Sequence, residues 1–235
     1  MNYSAEELKI QENAEEYARL NKNQIAKDII SKYESELNPV SVFMAGSPGA
    51  GKTESSIWLI KELSKKENCI LRIDPDELRK HFTEYTGKNS DLFQCATTII
   101  AEKIHDLAIK KNISFIFDTT FSKIDKARLN IQRSLDHKKS VQVIYVYQDP
   151  IQAWEFVKAR ELKDGRHVPK ESFIEEYFNA RVVVNQIKKD FPNIKLYLLV
   201  KNIDGTTQEY KENIDNIDNF IKENYTGDYL NNMLV

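Results

Sequence analysis

Glycine is scarce in this chain, with seven among 235 residues, so a place where glycines gather marks a backbone requirement. Six prolines and no proline-rich tract exclude collagen-like and extended polyproline architectures. The two cysteines, Cys69 and Cys95, have no metal-ligand spacing, which excludes a disulfide framework and a cysteine-based zinc module. No uninterrupted apolar run approaches 18 residues, so no membrane helix is expected. The polar, acidic start from Met1 to Glu7 lacks the basic-then-apolar order of a secretory signal, and the expected location is cytoplasmic. Charge is nearly balanced, 34 Lys and Arg against 36 Asp and Glu, for a net −2. That balance speaks against nucleic acid held by overall charge, while leaving room for a local basic cleft. Tyr and Phe are scattered with no stacking platform. His81, His105 and His137 have no ligand-like company and are assigned no role.

Three of the seven glycines fall within six positions, in Gly46, Ser47, Pro48, Gly49, Ala50, Gly51, Lys52 and Thr53. This is G-x-x-x-x-G-K-[ST], a loop whose backbone N–H groups wrap nucleotide phosphates. Residues 40–45 form an apolar run entering the loop, and 54–63 an amphipathic run leaving it. A strand, a glycine loop and a helix in that order also bring the positive end of the helix dipole to the phosphates. Lys52 is placed to reach the β- and γ-phosphates of ATP, and the Thr53 hydroxyl to bind Mg²⁺.

Hydrophobic content of 41% supports a packed core of ordinary domain size. Apolar β-rich runs occur at 40–45, 69–73, 113–117, 141–147 and 194–200. Helical patterns separate them at 53–66, 91–111, 124–138, 150–163 and 171–190. The alternation predicts an α/β P-loop fold of three layers around a parallel five-stranded sheet, with sites at the strands' carboxyl ends. Residues 1–37 read as a helical extension of one or two amphipathic helices, 38–201 as the P-loop core, and 202–235 as an appendage. Within the appendage, 207–223 is expected to be a surface helix and 226–235 a loose tail.

Four further groups bear on chemistry. Asp74 and Asp76 flank Pro75 at the end of the second strand, and Asp76 is placed to accept a proton from an attacking hydroxyl. The run 113–117 ends in Asp118, the pattern of a metal-side carboxylate strand; Thr120 follows, near the acceptor. Asp149 and Pro150 suit an N-cap and N1, Gly165 a helix end, and Pro169 a stiff exit, so Arg160 and Arg166 lie on a short crossover able to fold over a triphosphate. Arginine suits that task because its planar fork binds phosphate bidentately. Lys158, Lys163, His167 and Lys170 read as surface residues. Glu102 sits at the margin of the buried stripe of helix 91–111, where it either leans into the cleft or makes a salt bridge.

Together these residues resemble the zeta-toxin family of P-loop kinases, from about Phe43 to Val184. Ile73 to Asp76 is similar to that family's I-D-x-D segment, Asp118 to Thr120 to its E-G-T turn, and Arg160 and Arg166 to its two ATP-clamping arginines. The resemblance implies Asp76 as the base and Glu102 and Thr120 as acceptor-binding residues. It implies transfer of the ATP γ-phosphate to UDP-N-acetylglucosamine, and an antitoxin as protein partner. Ser122 stands where the family carries a basic residue, with Lys123 beside it. Polynucleotide kinase domains share the loop, the strand-end Asp and the arginine crossover, so a nucleic-acid 5′-hydroxyl or another small molecule is the alternative acceptor, and a nucleotide-binding regulatory module without transfer activity is the further alternative. Residues 4–36 are equally suited to packing on the sheet or to docking an antitoxin.

Overall fold

The computed structural model describes residues 3–63 and 70–235. Cys69, expected to begin the second strand, and the last residues of the expected helix 53–66 lie outside the described residues. The chain opens with one long helix, α1 (Ala5–Ile30). Ser4 caps it, accepting from the Glu7 N–H while the Glu7 carboxylate accepts from the Ser4 N–H at 2.8 Å. Small buried residues, Ala14, Ala18 and Ala26, let α1 lie close against α3 (Gln94–Lys110). The core follows as β1 (Val40–Ala45), α2 (Lys52–Leu63), β2 (Leu71–Ile73), β3 (Phe115–Phe117), α4 (Ile124–Asp136), β4 (Ser140–Tyr147), α5 (Pro150–Asp164), α6 (Lys170–Asp190) and β5 (Lys195–Lys201).

The sheet order is β2-β3-β1-β4-β5, all parallel, with a sixth strand on the outer edge. Both faces of the sheet are covered, so its strands are apolar throughout rather than alternating. Phe43 and Ala45 of β1 point into the larger core with Phe115, Phe117, Ile100 and Ile104, while Val42 and Met44 point to the other face with Ile116, Ile144 and Val146. His105 is fully buried in the larger core, edge-on to Phe43, Phe115 and Phe117, and neither ring nitrogen has a partner among the described residues. Burial pulls its pKa down to about 3, so it packs as a neutral ring.

Two expectations fail at the C-terminal end. The segment expected as a surface helix at 207–223 instead supplies β6 (Thr207–Lys211), paired antiparallel to β5, and then a 3-10 turn at Ile217–Asn219. The cause is the turn before it: Gly205 takes φ +81 and Asp204 Oδ1 accepts from the Thr206 N–H at 2.9 Å, which reverses the chain onto the open edge of β5. Among the described residues the sheet therefore has six strands, not five. The expected loose tail is also ordered, as α7 (Gly227–Met233), capped by Thr226. Leu230 and Leu234 are buried against Trp154, Phe173 and Tyr177, and Trp154 Nε1 donates to the Val235 carbonyl at 2.8 Å.

Because Leu230 is fully buried, Leu230→Ala should lower the unfolding free energy by about 2–5 kcal/mol in urea denaturation. A loss below roughly 0.5 kcal/mol, the range of ordinary surface changes, would mean that α7 contributes nothing to the core.

Candidate active site

Three adjacent strands end side by side, since β1 pairs Phe43 with Phe117 of β3, and β2 pairs Ile73 with the same residue. The segments that follow them are tied together: Asp118 N–H donates to the Ile73 carbonyl at 2.9 Å and Gly46 N–H to the Thr120 carbonyl at 3.2 Å. Gly46, Gly49 and Gly51 take φ of +134, +73 and +84, in the region that favours glycine. Space demands glycine as well. A Cβ on Gly49 would lie 2.1 Å from the Ala153 carbonyl oxygen, and one on Gly46 2.3 Å from that of Val146. Among the described residues the N–H groups of Gly49 and Gly51 find no acceptor, as a phosphate cradle requires. Lys52 Nζ donates to the Gly46 and Ser47 carbonyls at 2.9 and 2.7 Å. Desolvation lowers its pKa, and the charges of Asp118 and Glu176 oppose that shift.

Arginines hold the acidic edge in place. Arg72, inside β2, donates to Asp118 at 2.8 Å, to Asp74, and through Nε to Ser56 Oγ at 3.0 Å; Glu77 pairs with its outer nitrogen. Ser56 Oγ in turn lies 3.2 Å from Asp118 Oδ2 and 2.9 Å from the Thr53 carbonyl, so strand and loop share one network. Asp74 is buried, and its pKa is pushed up to about 6 by burial first and by the charges of Asp76 and Asp118 next. Asp76 remains partly open and is gripped from two sides, by Arg79 on Oδ1 and by Arg166 on Oδ2. Arg79 is buried, with Nε 3.3 Å from the Ser90 carbonyl and Nη2 3.0 Å from Gln94 Oε1.

The crossover that carries Arg160 and Arg166 is built as its sequence suggests. Asp149 Oδ1 accepts from the N–H groups of Ile151 and Gln152 at 3.0 and 3.2 Å, Pro150 opens α5, and Gly165 ends it at φ +77. Gly165 meets a second glycine: a Cβ on Gly87 would lie 2.3 Å from the Asp164 carbonyl oxygen. This backbone-to-backbone approach joins the crossover to the loop that follows Asp76. Arg160 lies 3.5 Å from Glu54.

Lys52, Thr53, Asp76, Asp118, Thr120, Arg160 and Arg166 all line one cavity of about 750 Å³. Glu102 does not line it; exposed on α3, it pairs with Lys126 at 2.8 Å, and Lys126 does reach the cavity. His167, expected on the surface, stands at the cavity rim, with Nδ1 2.7 Å from Glu161 Oε1. Three participants escaped the sequence reading. Arg72 had a signal, a lone charge in an otherwise apolar strand, and Arg79 another, three residues after Asp76 at helical spacing. Glu176 of α6, whose pKa is raised chiefly by burial, had none. Tyr3 and Gln11 also line the cavity, so α1 contributes a wall to it.

No group of three or more His, Cys, Asp or Glu among the described residues is arranged to hold a metal. Mg²⁺ needs no such group, because it binds through one or two protein oxygens and keeps water and phosphate ligands. The Thr53 hydroxyl and the Asp118 carboxylate are such oxygens on the wall of the same cavity.

A parallel sheet, a glycine cradle, a strand-end acid and a crossover with two arginines define a P-loop protein of the kinase type. The chain belongs to the zeta-toxin family, whose sequence model, described as zeta toxin, matches residues 22–215. Among solved structures it is similar to one from the PezAT chromosomal toxin–antitoxin system of Streptococcus pneumoniae, with 15% identity and TM-score 0.62 over 100% of this chain and 88% of that one. It is similar to the AvrRxo1-ORF1:AvrRxo1-ORF2 complex with sulfate ions, at 16% identity and TM-score 0.57 over 93% and 72%. A Pnkp1/Rnl/Hen1 RNA repair complex matches at 14% identity and TM-score 0.50, over 65% and 47%. At these identities the likeness is one of fold. No curated protein matches the chain. No helix among the described residues is long and apolar enough to cross a membrane.

The raised pKa of Asp74 gives the fold a pH dependence of definite sign. Its folded value of about 6 lies above the ordinary 3.8, so between those pH values the folded state keeps a proton that the unfolded chain has lost. The stability from this group is complete below about pH 4 and is lost as pH rises through 6, by on the order of 2–3 kcal/mol. Asp74→Asn should flatten that part of the urea-unfolding profile between pH 4 and 7; parallel profiles for the two proteins would contradict the assignment.

Proposed function

We propose that this protein transfers the γ-phosphate of ATP to a hydroxyl of UDP-N-acetylglucosamine or a related sugar nucleotide, as the toxin of a toxin–antitoxin pair. The observation that carries the reading is the convergence in one cavity of the glycine loop, Asp76 and both crossover arginines. A pure nucleotide binder has no use for an acid gripped at the mouth of its phosphate cradle.

The roles follow from placement. The loop N–H groups and Lys52 would hold the nucleotide phosphates. Thr53 and Asp118 would hold Mg²⁺, which when bound neutralises phosphate charge. Arg160 and Arg166 would balance the charge on the migrating phosphoryl group, and Asp76 would orient the acceptor hydroxyl and take its proton. One bond forms, from the acceptor oxygen to the γ-phosphorus, and one breaks, from that phosphorus to the oxygen bridging to the β-phosphate, so ADP leaves with the electron pair. In such a loose transfer most of the acceleration comes from position and electrostatics. Thr120 and Glu102 are proposed to position the acceptor, Thr120 from the cavity wall and Glu102 from outside it through its pairing with Lys126.

A different phosphate-bearing acceptor, including a nucleic-acid 5′-hydroxyl, is the second reading. Ser122 at the position of the family's basic residue favours it, with Lys123 and Lys126 supplying positive charge on the cavity wall instead. Incubation with γ-labelled ATP and separate panels of UDP-sugars, nucleosides and oligonucleotides separates the two. Label on UDP-N-acetylglucosamine supports the first reading and label only on an oligonucleotide the second. Hydrolysis of ATP with no labelled acceptor would argue against both.

In the same assay Asp76→Asn should cut turnover about 10²- to 10⁴-fold, the range of general-base contributions. An Asp76→Asn protein with turnover near wild type would falsify the base assignment. Arg166→Ala should lower kcat by on the order of 10³ with a much smaller change in KM for ATP; equal losses in kcat and affinity would assign Arg166 to ground-state binding.

A further inference from the structure

The grip on Asp76 is asymmetric. Arg79, which holds Oδ1, has a side chain only 5% exposed and is locked by Ser90 and Gln94. Arg166, which holds Oδ2, is 26% exposed and follows directly on the Gly165 helix end. Among the described residues Asp76 is its one acceptor. Arg166 and Lys52 line the same cavity, so the guanidinium shares the space in which the phosphates would lie. The backbone contact of Gly87 with Asp164 keeps the base of the crossover seated while the side chain turns.

Resting on the kinase reading, we infer that the two oxygens of Asp76 have separate duties. Arg79 is a positioning residue that keeps Oδ1 throughout. Arg166 masks Oδ2 until nucleotide phosphates draw its guanidinium away, so the acceptor hydroxyl meets a free oxygen only after nucleotide has bound. The phosphates are the stronger attractor, since they offer a bidentate match and several negative charges against one carboxylate. The device makes acceptor engagement conditional on nucleotide, because Arg166 serves only one anion at a time.

The linkage is measurable without knowing the acceptor. Nucleotide binding must break the Arg166–Asp76 pair, so removing the Asp76 charge should strengthen that binding, but only through Arg166. Calorimetric titration of the full-length protein with the Mg²⁺ complex of a non-hydrolysable ATP analogue should show Asp76→Asn binding three- to tenfold tighter than wild type. Arg166→Ala should bind more weakly than wild type, and the Asp76→Asn/Arg166→Ala double variant should match Arg166→Ala within twofold. An equal gain from Asp76→Asn in both backgrounds would reduce the effect to general charge and overturn the exchange. Arg79→Gln should weaken the same binding several-fold, because Asp76 then falls wholly to Arg166. Arg79→Lys should restore the affinity, and the Asp76→Asn background should abolish the loss. A loss that persists in Asp76→Asn would make Arg79 merely structural and overturn its positioning role. Failure of every protein, wild type included, to bind the analogue would instead remove the nucleotide reading on which the exchange rests.

Discussion

Everything at the site depends on the register of three parallel strands. Phe43, Ile73 and Phe117 lie abreast, so the residues one to three positions further on emerge along a single line: the glycine loop, Asp74 to Asp76, and Asp118 to Thr120. A slip of one residue in any of them would turn its side chains to the opposite face. The aromatic cluster of Phe43, Phe115, Phe117 and His105 fixes that register from the core side. Packing far from the chemistry thus decides where the chemistry falls.

The line so formed gathers carboxylates, and like charges at that density repel. Arg72 answers this by joining Asp74 and Asp118, and Arg79 by holding Asp76. Buried ion pairs of this kind add little net stability, since desolvation offsets most of their attraction. What they confer is orientation. Asp74, buried beside Asp76 and Asp118, is pushed well above its ordinary pKa. Meanwhile the paired approach of Gly87 and Gly165 brings the arginine crossover down onto the same line. That backbone contact seats the crossover beside the cavity.

Much of this was legible because the informative residues are rare or positionally constrained. With seven glycines in all, three in six positions stand out, and an Asp directly after the apolar Phe115–Phe117 is equally conspicuous. What escaped notice was supplied by tertiary packing. Thr207 to Lys211 carries no apolar alternation, since every residue of β6 sits on an exposed edge, and only the Gly205 turn delivers it to β5. α7 is seven residues long, too short to announce itself by periodicity, and is held by two leucines and by hydrogen bonds from Trp154 and Lys170. Arg72 and Arg79 carry local signals, but part of what fixes them, Ser56 and Asp118 for one and Ser90 and Gln94 for the other, comes from other segments. The inclusion of Tyr3 and Gln11 in the cavity wall depends on the close packing of α1 on α3, which its alanines permit but do not proclaim.

The account's central claim is that the glycine cradle, Asp76 and the two crossover arginines act together on one migrating phosphoryl group. A crystal structure with ADP, Mg²⁺ and aluminium fluoride, a mimic of that group, tests it most directly. The account predicts the fluoride complex between the cradle and Asp76, within hydrogen-bond reach of Lys52, Arg160 and Arg166. A complex bound in the cradle with Asp76 and both arginines turned away from the fluoride would contradict it.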